Sequence, residues 1–88
     1  MPGSTVGIAA SASKLNDAVR ICEKHPDKLP YIDEKCELLR CLLDVYHKLN
    51  NMSKCRELIA KIDRINDRYR EQGVFSEVSE EIWKAAES

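Results

Sequence analysis

The stretch that decides the fold is residues 38–69, LLRCLLDVYHKLNNMSKCRELIAKIDRINDRY. In its first half Leu39, Leu42, Tyr46 and Leu49 recur three and four apart, and Leu38, Cys41, Leu43 and Val45 widen the stripe. In its second half Cys55, Leu58, Ile59, Ile62, Ile65 and Tyr69 keep the same period. That period puts apolar side chains on one face of an α-helix. It predicts two helices, about residues 31–49 and about residues 53–72. Asn50 and Asn51 between them suit a chain reversal, because Asn tolerates the left-handed conformation at a helix end, and Asn51 or Ser53 can cap the second run. Each helix would be close to 30 Å long at about 1.5 Å per residue, so an antiparallel hairpin is the natural arrangement. A stripe as broad as the first implies contact with more than one neighbour.

Outward from the hairpin, Leu15, Ala18, Val19 and Cys22 mark a first helix, with Ser11 or Ser13 as its N-cap. It should stop near Lys24, since His25 precedes Pro26 and is pushed away from helical dihedrals. Pro30 fits the first turn of the following helix, where its missing N–H costs little. Residues 1–12 carry no charge and are rich in Gly, Ser, Ala and Thr, so they are expected to form a flexible leader ahead of a single helical domain at 13–88. Gly73 should end the third helix. Ser76 should then cap a short fourth one, in which Phe75, Val78, Ile82 and Ala85 or Ala86 face the hairpin and Trp83 lies beside that stripe. The expected fold is all-α, a small antiparallel bundle of three to four helices with the outer two shorter than the central pair.

Composition narrows the function. The chain has 88 residues, enough for one domain with a small core. Its 14 Lys and Arg nearly balance 15 Asp and Glu, so no strong field draws it to nucleic acid or anionic membrane. No run is long and apolar enough to span a bilayer, and the start lacks the pattern of a signal peptide. The expected location is inside the cell, in cytoplasm or nucleus.

The four cysteines, Cys22, Cys36, Cys41 and Cys55, are spaced like a twin-cysteine hairpin. Such a hairpin needs a turn between its inner cysteines. Cys36 and Cys41 instead fall within one helical run, about 140° apart around its axis, so free thiols acting as small hydrophobes are expected. A metal site would have to join Cys22 and His25 to isolated ligands elsewhere, without closely paired zinc spacing. No thiol has a His in a recognised catalytic context either. No enzymatic activity, cofactor or metal is therefore expected. Asp63, Asp67 and Glu71 recur four apart but interleave with Lys61, Arg64, Arg68 and Arg70, which reads as a solvated face laced with weak ion pairs.

A spacing also recurs. Tyr46, Asn50, Met52, Cys55, Ile59 and Ile62 match Tyr69, Gly73, Phe75, Val78, Ile82 and Ala85 in order and character. The pattern of aromatic, turn former, large apolar residue and helix-approach positions resembles the central half of a tetratricopeptide repeat. The two copies lie closer together than the family's period of about 34 residues, so the third helix would close one motif and open the next. The resemblance implies a stacked-helix binding scaffold. Its groove would be lined by Glu37, Arg40, Cys41, Asp44, His47 and Lys48. The family's chaperone-tail clamp places Asn four residues after Lys or Arg; here Asp44 follows Arg40, which speaks against that ligand.

These readings converge on a non-catalytic protein–protein interaction module, an adaptor or scaffold that offers a helical groove or face to a helix or peptide of another protein. Arg40, Asp44, His47, Lys48, Phe75 and Trp83 are the candidate contact residues. The alternative is a homodimer closed by the excess apolar face of the second helix. A nucleic-acid surface on Lys54, Arg56, Lys61, Arg64, Arg68 and Arg70 ranks below both, for want of base-stacking aromatics.

Overall fold

A computed structural model describes residues 2–87, with side chains from Ala10 onward. Met1 and Ser88, the outer ends of the expected leader and domain, lie outside the described residues. Among the described residues the chain is all-α, with α1 at Pro2–Glu23, α2 at Leu29–Lys48, α3 at Met52–Tyr69 and α4 at Glu80–Glu87; a 3-10 turn at Arg70–Gln72 extends α3.

Each helix runs antiparallel to the one before it, as the cross-links between them show. Lys35 Nζ pairs with Glu23 at 3.0 Å, and Asn16 donates to the Tyr46 hydroxyl at 3.1 Å. The Cys55 thiol reaches Leu43 O at 3.9 Å, and Arg56 Nη1 donates to Ala86 O at 3.1 Å. Leu39, Leu42 and Leu43 of α2 form the centre of the core with Cys36, Cys55 and Ile62, all essentially without exposure. Ala12 and Val19 of α1 cover one side, while Val74, Ile82 and Ala86 cover another. The breadth of the α2 stripe is thereby used within the chain: Leu38, Val45 and Tyr46 pack against the same core. Of the face suggested for a homodimer, Leu38, Val45 and Tyr46 are partly buried against this core, and Cys41 and Leu49 are partly exposed.

Both reversals end a helix by the same device. At the first, Asn50 stands at φ 58°, its N–H bonds to His47 O, and the Asn51 N–H bonds to Tyr46 O. At the second, Gly73 stands at φ 87°, its N–H bonds to Arg70 O, and the Val74 N–H bonds to Tyr69 O. These are the paired bonds of a Schellman cap, which satisfy carbonyls that a helix end leaves open. The two reversals diverge afterwards. At the first, α3 starts at once, with the Asn51 side chain accepting from Lys54 N. At the second, the chain stays non-helical through residues 74–79 before α4 begins.

Two expectations are corrected, the start and length of α1 and the N-cap of α4. Helix α1 begins at Pro2, so it covers the segment read as a leader and is the longest helix; Ser11 and Ser13 lie inside it rather than capping it. Low charge suggested a leader, but no proline after Pro2 stops the helix, and Ala12 is buried in the core. Ser76 does not cap α4. Its carbonyl and N–H are held by Asn66, and the first intrahelical bond of α4 runs from the Trp83 N–H to Ser79 O at 2.9 Å. The small residue facing α3 is Ala86, buried, with Ala85 only partly so.

Candidate partner-binding site

The segment between α3 and α4 is fixed by one buried side chain. Asn66 Nδ2 donates to Ser76 O at 2.7 Å, and Asn66 Oδ1 accepts from the Ser76 N–H at 2.9 Å. A carboxamide carries the donor and acceptor of a peptide group, so Asn66 pairs with Ser76 as a neighbouring strand would. The same oxygen takes the Cys36 thiol at 3.6 Å, which ties α2 to this node. Both Asn66 and Ser76 are buried. Asn66 sits four residues after Ile62 on the core face of α3, a polar residue where the stripe calls for an apolar one. That is the signal by which the sequence could have revealed it, and the sequence reading passed over it.

This node holds Phe75 outward and carries the chain into α4. Phe75 and Trp83 are 51% and 37% exposed, and both line one open groove of about 830 Å³ along the α3–α4 seam. Val78 and Asn66 contribute to its wall, with Asp63, Arg64, Asp67, Arg70 and Glu80 also facing it. Trp83 and Asp63 face a second, smaller hollow of about 290 Å³ as well, beside Ile59, Ala60 and Ala86. The indole therefore stands as a ridge between two depressions. The Arg70 guanidinium lies over the Phe75 ring at 5.0 Å, within cation–π range.

The other candidate contact residues fall elsewhere. Arg40 and Asp44 pair with each other at 3.5 Å on the outer side of α2, both about half exposed. His47 and Lys48 occupy the last turn of α2. None of these four lines the groove that holds Phe75 and Trp83. The candidates thus separate into an α2 group, in which Arg40 and Asp44 pair with each other, and an α3–α4 pair that shares one concave surface.

Three of the four thiols are buried packing groups. Burial pushes the Cys22, Cys36 and Cys55 thiols above their ordinary value; at Cys36 hydrogen bonds from Ser76 oppose the rise more weakly. A raised thiol is the opposite of an activated nucleophile. Among the described residues no cluster of His, Cys, Asp or Glu could hold a metal ion, and no helix is long and apolar enough to cross a membrane.

Compared with protein-family models, with characterised proteins and with solved structures, the chain gives no match.

Proposed function

We propose that this protein is a non-catalytic protein-interaction module that takes an apolar helix or peptide segment of another protein into the α3–α4 groove. The observation that carries the reading is the placement of Phe75 and Trp83, both large, both exposed, on one concave surface. An exposed aromatic pair in a groove is the usual anchor of a protein interface, where Trp dominates binding energy. Further support comes from the rigidity of the setting. Asn66 fixes the segment bearing Phe75, and α4 is tied at its far end by the bond from Arg56 to Ala86 O, so little ordering would accompany binding.

The test is quantitative affinity capture from the source cell, with Phe75→Ser, Trp83→Ser and Arg40→Ala variants run in parallel. A partner retained by the wild type and Arg40→Ala, and lost by both groove variants, supports the groove. Equal retention by Trp83→Ser and the wild type would remove it. Folding of each variant is checked by circular dichroism.

A further inference from the structure

We infer that the segment bound at the α3–α4 groove is an extended peptide of another protein, which pairs its main chain with Phe75 and Glu77 and sets an apolar side chain against Phe75 and Trp83. The inference rests on the groove reading given above and names the conformation of the occupant.

The stretch between Gly73 and α4 is bonded as an edge strand is. Asn66 takes both the C=O and the N–H of Ser76, at 2.7 and 2.9 Å. One carboxamide reaches both groups of a single residue only where they point the same way, as they do in extended chain. The Val74 N–H turns to the same side and bonds to Tyr69 O at 3.2 Å. Burial alternates with the same period: Val74 and Ser76 are buried, while Phe75 and Glu77 are exposed. Both patterns belong to a strand with one edge already paired, here by the end of α3 instead of by a second strand.

The opposite edge is open. In extended chain the main-chain groups of successive residues point to opposite sides, so those of Phe75 and Glu77 face away from α3. Among the described residues neither the N–H nor the C=O of either residue has a hydrogen-bond partner. No proline interrupts residues 73–79, so both N–H groups are there to donate. The chain's other two connections are tight turns closed by backbone bonds such as Lys28 N to His25 O and Asn51 N to Tyr46 O. An exposed row of unpaired main-chain groups is a template for an added strand.

The groove supplies the side-chain half of the contact. Phe75 and Val78 of this stretch line it together with Trp83. A peptide residue paired opposite Phe75 stands about 5 Å from it on the same face, where a β-branched or aromatic side chain meets both rings. A helical occupant bonds its own backbone internally and leaves the edge unused.

Trp83 is the sole tryptophan, so its emission reports the groove directly. The probes are short linear peptides displayed on phage, selected on the intact chain and counter-selected on Trp83→Ser. The strongest binder is then synthesised with two twins, each N-methylated along one of its two edges. The expected result is that one twin binds about tenfold more weakly while the other keeps its affinity, and that amide exchange at Phe75 and Glu77 slows about tenfold in the complex. Glu77→Pro removes an outward N–H and keeps Ser76 extended, so it should weaken binding by about tenfold while Glu77→Ala does not. Circular dichroism checks that both variants fold, and the twins decide the matter if Glu77→Pro does not. Peptides that need Trp83 yet tolerate methylation on either edge, and leave Phe75 and Glu77 exchanging freely, would overturn the extended pairing and leave the groove reading standing. Failure of any peptide to distinguish the wild type from Trp83→Ser would overturn both. Exchange at Phe75 and Glu77 that slows as the concentration of the free chain rises would make the occupant a second copy and overturn the assignment to another protein.

Discussion

Replacing Asn66 with Ala should cost far more than an ordinary polar-to-alanine change on a helix. The side chain makes two hydrogen bonds of 2.7 and 2.9 Å to the backbone of Ser76 and accepts a third from the Cys36 thiol at 3.6 Å. Ser76 is buried, so its N–H and C=O have little access to water once Asn66 is gone. A buried polar group left without a partner costs about 1–3 kcal/mol, and two of them, partly relieved by entering water, give about 2–4 kcal/mol. A domain of this length has a total stability of roughly 4–13 kcal/mol, so the variant should lose a large share of it. Alanine's better helix propensity returns only about 0.5 kcal/mol. Urea unfolding, followed by far-ultraviolet circular dichroism and by Trp83 emission, measures the change. The Trp83 probe should report loosening of α4 at lower urea than the helical signal, because the segment from Gly73 to Ser79 links α4 to α3. An unfolding free energy within about 0.5 kcal/mol of the wild type would refute the role given to Asn66.

Further outcomes follow from the same packing. Gly73→Ala should destabilise by about 1 kcal/mol, measured by thermal unfolding, because an L-residue at φ 87° is strained while open space surrounds the position. Leu42→Ala, at the centre of the core, should cost about 2–5 kcal/mol in the same assay. Native-state alkylation followed by mass spectrometry should label partly exposed Cys41 first and reach Cys36 and Cys55 only on unfolding. The raised thiols also set a pH dependence. Below the ordinary thiol value of 9.0 folded and unfolded chains are both protonated there and stability is intact; above it the unfolded thiols ionise first, so stability falls as pH rises towards the folded values. Cys55→Ala should flatten that fall in urea titrations between about pH 8 and 10.

The hairpin was legible because a three-and-four apolar period on both sides of Asn50 leaves little alternative to two antiparallel helices. The equivalence of Asn50 and Gly73 was legible too, since both residues tolerate the left-handed cap that each occupies. The start of α1 was not, because an uncharged stretch rich in Ala and Ser suits a helix or a loose leader equally well until it has a surface such as that beside Ala12 to lie on. The start of α4 was hidden for a different reason. Ser76 has the chemistry of an N-cap, and only a partner ten residues away in sequence, Asn66, takes its backbone out of the helix. Trp83 and Phe75 could be named from residue type, but their sharing one groove depends on the angle at which α4 docks, which no local pattern encodes.

Site-specific photo-crosslinking tests the central claim most directly. A photoreactive amino acid placed in turn at Phe75, at Trp83 and at Arg40 is activated in the source cell, and the adducts are resolved by mass. The account predicts one shared partner adduct from the positions of Phe75 and Trp83 and none from that of Arg40. A partner adduct from the position of Arg40 alone would contradict it and move the binding face to the outer side of α2.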